Sequence, residues 1–213
     1  MPEPLVIIGC GGHGREVFGI VSAINEANGD KVWRVSGFVD DQPSDADLRL
    51  IRRLGADHLG PVAALAELEA RYVIGVGDPR VRARIADRID PFSLPAATLI
   101  HPNSSTGLDN RFGAGVVLFA GARVTTNVTL GRHVHLNQNA TVGHDSDLGD
   151  CTQVNPLGAV SGSCRIGSTV LIGTTAAVIQ GIRVGSRAIV GAGACVVRDV
   201  PEGATVKGVP ARP

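Results

Sequence analysis

Aromatic side chains are scarce in this chain, at 3% of 213 residues, with a single Trp and a single Tyr. So few rings argue against a packed β-sandwich, whereas the 28 glycines suit a fold of small residues and tight turns. Net charge is also absent: 20 basic residues face 20 acidic ones, which removes nucleic acid and anionic membranes as expected partners. No apolar run approaches a membrane span, and no basic-then-apolar signal segment follows Met1. The four cysteines, Cys10, Cys151, Cys164 and Cys195, show no CxxC spacing, which fits a reduced, cytoplasmic protein. The length suffices for one large domain or two small ones.

What is present falls into two grammars. Residues 1–95 read as α/β. PLVIIG, WRVSGFVDD and RYVIGVGD are short apolar runs with the character of buried strands. Between and after them, GREVFGIVSAINEA, LGPVAALAELEA and PRVRARIADRI carry apolar residues at helical spacing, the last two with proline near the start. This alternation predicts a small, Rossmann-like parallel sheet with crossover helices.

Residues 96–213 follow a period of six. From Leu118 onward every sixth residue is aliphatic through Val196, fourteen positions without a lapse; Ile100 and Phe112 extend the phase backwards and Thr106 interrupts it. Two residues earlier the side chain is small or β-branched, as in Ala122, Val128, Ala140 and Ser146, and glycine commonly follows the aliphatic. Period six belongs to a parallel β-helix of hexapeptides, three per 18-residue coil. Coils stacked at the strand spacing give roughly five turns and a prism roughly 25 Å tall.

The hexapeptide run, the N-terminal GCGGHGREV, the FVDD and the closing VKGVPARP together resemble the hexapeptide-repeat sugar acyltransferases. The closer resemblance is to the group that acetylates UDP-4-amino sugars on the way to bacillosamine-type glycans; sialic acid O-acetyltransferases are similar. The resemblance implies a left-handed β-helix, a homotrimer, acetyl-CoA as co-substrate, a nucleotide sugar held by the N-terminal domain, and no metal. It also implies that a histidine followed by an acid serves as base and orienter, which falls on His144 and Asp145. Where the family commonly has a second histidine nine residues on, this chain has Gln153.

The residues themselves agree with that assignment. A sugar amine attacks a thioester only when neutral, and sheds a proton as it does so; histidine can accept that proton, and an adjacent carboxylate can orient the ring. By the 18-residue rule His144 stacks under Gly162, and Asn137 starts a column that continues through Asn155, Gly173 and Gly191. The expectation is open space beside the imidazole, with coenzyme A passing along Gly162, Gly173 and Gly191. For the nucleotide sugar, the candidates are Gly11, Gly12, His13 and Gly14 in the glycine loop, Asp40 and Asp41 ending the second strand, Gly77 and Asp78 ending the third, and Asn137 on the prism.

Two rival readings attach to the same features. GCGGHG is a formal G-x-G-x-x-G and alone suggests an NAD-dependent oxidoreductase, but the α/β half is only half a dinucleotide domain. His133, His135 and His144 suggest a zinc hydratase, but the first two stack under Cys151 and Gln153 rather than on His144, and substitution at either is expected to be nearly silent.

Overall fold

The computed structural model describes residues 1–29 and 32–213. The first part is a three-stranded parallel sheet: β1 (Glu3–Ile8) lies at the centre, between β2 (Trp33–Val39) and β3 (Arg71–Ile74). Three helices accompany it: α1 (Gly12–Ala27), α2 (Asp45–Arg53) and α3 (Pro79–Ile89). One apolar cluster joins Leu5, Ile7 and Val73 of the sheet to Val17, Ile20 and Val21 of α1; another joins Val6, Ile8 and Ile74 to Ile85 and Ile89 of α3. Both faces of the short sheet are therefore covered, as a parallel sheet requires.

One helix lies elsewhere than expected. LGPVAALAELEA yields only a short 3-10 turn over Val62–Glu67. The second α-helix is α2, opened by Ser44, whose hydroxyl accepts from the Asp47 amide at 3.1 Å and donates to the Asp47 carboxylate at 2.6 Å. That reciprocal cap sits in the sequence as S-D-A-D.

Beyond residue 98 the chain winds into a parallel β-helix, consistent with the left-handed form. Two-residue strands run from β4 (Leu99–Ile100) to β21 (Thr205–Val206) and stack into three faces of seven, six and five strands, about six coils rather than five. The register is 18 residues throughout the body: Leu99 pairs with Val117, then His135, Gln153, Leu171 and Ile189. All fourteen periodic aliphatics from Leu118 to Val196 are buried in one cluster, none more than 4% exposed. The backward extension is weaker, because Ile100 lies 39% exposed on the first, open coil.

Every sixth residue also turns a corner in the left-handed conformation. Asn127, His133, Asn139, Asp145, Cys151 and Leu157 have φ between 53° and 61°, and Gly115, Gly121, Gly181 and Gly193 serve other corners. Asn, Asp and Gly tolerate this geometry best. The glycines that follow the aliphatics have a different cause. A Cβ on Gly143 would lie 2.5 Å from the Gly162 amide nitrogen, and one on Gly173 would lie 2.6 Å from that of Ala192. Successive coils approach too closely there for any side chain.

The two parts dock across the seven-stranded face. Leu99, Val117 and Phe119 are fully buried in the same cluster as α1. No helix among the described residues is long and apolar enough to cross a membrane.

Candidate active site

His144 and Asp145 occupy one corner of the prism. Their backbone is fixed by the neighbouring coils: Asp145 N–H donates to Thr126 O at 3.2 Å, and Ser163 N–H donates to His144 O at 2.7 Å. The left-handed turn at Asp145 swings two consecutive side chains together, so that His144 Nδ1 lies 2.7 Å from Asp145 Oδ2. The shorter acid thus contacts the imidazole directly. Asp145 Oδ1 accepts from Asn127 Nδ2 at 2.7 Å, and these two bonds hold the carboxyl below the usual carboxylate range, Asn127 contributing most. An ionised carboxylate only accepts, so Nδ1 carries the imidazole hydrogen and Nε2 keeps a lone pair. Both side chains are about half exposed.

The space beside the imidazole is not open. A Cβ on Gly162 would lie 2.6 Å from both Cε1 and Nε2 of His144, so the ring itself occupies the room that the glycine leaves. Gly173 is glycine because of the next coil's backbone, and Gly191 has the Lys207 side chain 3.2 Å from where a Cβ would stand. All three glycines have a packing reason that needs no ligand.

The glycine loop divides similarly. A Cβ on Gly14 would lie 1.9 Å from Gly9 O, and Gly9 itself has φ +103°, so both are demanded by the fold. Gly11 has nothing within 4 Å of where its Cβ would be, and Gly12 only the tip of Arg15 at 3.8 Å. Gly11 also opens α1 without a side-chain cap, leaving the first amides of the helix without a side-chain acceptor there. Such an end attracts anions.

The acids expected to meet a nucleotide are already engaged. Asp40 accepts from the amides of Cys10 at 2.8 Å and Gln42 at 3.0 Å, tying the loop to the end of β2. Asp41 accepts from Val62 N–H at 2.9 Å and Arg88 at 2.7 Å, and Arg88 holds its carboxyl below the usual range. Asp78 caps α3 through the amides of Arg80 and Val81. Asp40 and Asp41 nevertheless line a crevice of about 500 Å³ with Gly9, Gln42, Arg84 and Arg88. The two arginines went unnoticed in the sequence, although their spacing of four on α3 puts them on one helix face.

The junction of the two parts is polar at its centre. His13 Nε2 lies 2.9 Å from His135 Nδ1 with the rings stacked, and a Cβ on Gly77 would lie 3.4 Å from His13 Nδ1. His135, Asn137 and Gln153 are buried on the prism face beneath, joined through Asn155: Gln153 Nε2 donates to its Oδ1 at 3.2 Å, and Asn137 Nδ2 reaches it at 3.5 Å. Arg82 of α3 is fully buried and faces backbone carbonyls alone. It donates to Val76 and Gly77 of its own domain at 2.6 and 3.3 Å, and to His133, Cys151 and Thr152 of the prism at 2.9, 3.0 and 3.3 Å. His133 and His135 are buried packing elements, at 1% and 0% exposure, so the expectation that they are silent is corrected. They do not converge with His144, and no group of three or more His, Cys, Asp or Glu among the described residues is placed to hold a metal ion.

Burial pushes the imidazoles of His13 and His133 down to about 4, with Arg82 adding to both and Arg132 to His133. Unfolded histidine binds its proton near 6.5. Between about pH 6.5 and 4 the unfolded chain therefore holds more protons than the folded one, and stability falls as pH drops through that window. The urea midpoint is expected to decline steadily from pH 7 to pH 4; an unchanged midpoint between pH 6.5 and 5 would refute this.

Comparison with known proteins completes the description. Residues 4–89 match the family described as PglD N-terminal domain. The structure of the acetyltransferase domain of PglB from Neisseria gonorrhoeae, in complex with acetyl coenzyme A, is 31% identical. Each chain covers 100% of the other, with a TM-score of 0.88. The chain belongs to the hexapeptide-repeat sugar acetyltransferases. PerB from Caulobacter crescentus, solved with CoA and GDP-perosamine, is another relative, 30% identical over 98% of this chain and 96% of that one, with a TM-score of 0.88. A GDP-perosamine N-acetyltransferase of Escherichia coli O157:H7 is 29% identical over 145 residues, 68% of this chain and 63% of that protein, so the match spans a little under two thirds of its length. Within this enzyme family the histidine–acid corner and the uncapped glycine loop are the two features of this chain with chemistry to offer.

Proposed function

We propose that the protein transfers an acetyl group from acetyl-CoA to the amine of a nucleotide-linked amino sugar, with His144 as general base. The observation that carries this reading is the 2.7 Å contact between His144 Nδ1 and an ionised Asp145, which leaves Nε2 as the proton acceptor. Acetyl-CoA supplies the thioester. His144 Nε2 takes a proton from the attacking amine as the N–C bond forms and the C–S bond breaks, and returns it to the departing thiolate; Asp145 stabilises the imidazolium in between. Support for acetyl-CoA comes from the relatives crystallised with it or with CoA. An exposed groove of about 760 Å³, lined by Gly149, Gly167, Arg165 and Arg183, offers room along the later coils.

The nucleotide sugar is proposed to lie with its phosphates at Gly11, Gly12 and the start of α1, its base in the crevice of Asp40, Asp41, Arg84 and Arg88, and its sugar extending past His13 and Asn137 toward a prism corner. Half-exposed catalytic side chains on an open corner are best completed by a neighbouring prism, so a homotrimer is part of the proposal. The nucleotide is proposed to be UDP; the relatives that act on or bind GDP-perosamine favour GDP as the second reading. A panel of UDP-, GDP- and dTDP-linked amino sugars, assayed by release of free thiol from acetyl-CoA, tests all of this. Release with hydroxyl acceptors alone would turn the assignment to O-acetylation.

Arg84 offers a separate check. Arg84→Ala is expected to raise the KM for the nucleotide sugar about 10-fold, the usual consequence of losing a charged hydrogen-bond donor, and to leave the KM for acetyl-CoA unchanged. Equal changes in both would place the nucleotide elsewhere.

A further inference from the structure

The Asp145 carboxylate raises a question of its own. It is half exposed, and the terminal torsion of an aspartate is broad and roughly two-fold. One hydrogen bond to a neighbouring imidazole leaves such a group free to rotate away. Here each oxygen has its own donor: Oδ2 faces His144 Nδ1 at 2.7 Å, and Oδ1 accepts from Asn127 Nδ2 at 2.7 Å. Asn127 lies 18 residues earlier, at the equivalent corner of the preceding coil, and is also left-handed, with φ 53° against 59° for Asp145. The corner column therefore reads Asp109, Asn127, Asp145, Ser163, and Asn127 stands as the amide between two acids. The main chain at Asp145 is held as well, since Arg165 Nη1 donates to its carbonyl at 2.6 Å while Arg165 Nε reaches Asp147 at 3.1 Å.

We propose that Asn127 is a positioning residue for catalysis: its amide fixes the Asp145 carboxylate in the plane from which that carboxylate holds the His144 ring. The inference rests on the reading of His144 as base. It explains how an aspartate, one methylene shorter than the glutamate of similar enzymes, keeps direct contact with the imidazole. The preceding coil supplies the second restraint.

Two substitutions test it. Asn127→Gly deletes the amide and keeps a residue at ease in the left-handed corner. Asn127→Asp keeps the shape and replaces the donor by a carboxylate. Each is expected to lower kcat at neutral pH by about 10-fold or more, the scale of a misplaced catalytic group, with both KM values within about twofold and melting temperature little changed. In Asn127→Asp the two stacked carboxyls repel, so one of them takes up a proton above the usual carboxylate range. Protonated, residue 127 donates again, so the ratio of variant to wild-type activity is expected to rise as pH falls; a role in folding alone would not move that profile. In an Asp145→Ala background, Asn127→Gly is expected to have no further effect. Wild-type kcat in Asn127→Gly, with Asp145→Ala impaired, would overturn the inference and leave His144 as base. Wild-type kcat in both Asp145→Ala and His144→Ala would bring down the underlying reading and this inference with it.

Discussion

His144→Ala is expected to lower kcat by about 10²–10⁴-fold, the usual contribution of a positioned proton acceptor. Its KM values should change little, because the imidazole acts as the amine loses its proton rather than in holding either substrate. The deficit should narrow as pH rises, since more of the sugar amine is then already neutral. Asp145→Asn should cost less: it keeps the shape but not the charge that stabilises the imidazolium. Steady-state kinetics from pH 6 to 9 would check all three statements. A His144→Ala enzyme with wild-type kcat at neutral pH would remove the histidine from the chemistry.

Arg82→Ala carries the largest expected effect on stability. The guanidinium is fully buried, no carboxylate hydrogen-bonds it, and burial pulls its proton affinity down to about 10, still charged at neutral pH. Five carbonyls from two domains converge on it. Deleting it strands those acceptors, at a cost of about 3–5 kcal/mol, typical for losing one side of a buried charged network. Arg82→Met should fall between alanine and wild type, because it restores the packed stem but no donors. Because Arg82 bridges the α/β domain and the prism, calorimetry of the alanine variant is expected to resolve two transitions in place of one. A variant within about 0.5 kcal/mol of wild type, the range of an ordinary surface substitution, would show that the apolar contact of α1 with Leu99, Val117 and Phe119 holds the junction alone.

The prism was legible because its signal repeats. One aliphatic in six, held from Leu118 to Val196, can only be buried together if the chain coils with that period. The α/β half was less legible. The apolar residues Val62 and Leu65 read as helical, yet the segment makes a single 3-10 turn, whereas α2 is mostly polar and announces itself only by the Ser44 cap. At the site, the pair His144–Asp145 could be singled out from adjacency, and the 18-residue rule located Asn127 beneath Asp145. Two things could not be read. Stacking gives which residues are neighbours but not which way a side chain turns, so the imidazole covering Gly162 was missed. Contacts between the halves follow no period, so Arg82 looked like one more surface arginine on α3, and His133 and His135 like idle prism residues.

The corner register also makes the prism a measuring rod. Each 18 residues of chain advance the axis by one graduation of about 4.8 Å, and no intermediate step keeps the aliphatics inside. The nucleotide-holding half is anchored to graduations fixed by His133, Cys151 and Thr152, and the proton acceptor stands at His144, between those marks. The gap between anchor and acceptor can therefore change only by whole coils. Lineages of this fold that accept longer or shorter donors would have to adjust the loops of the α/β half, where spacing is continuous, and leave the rod uncut.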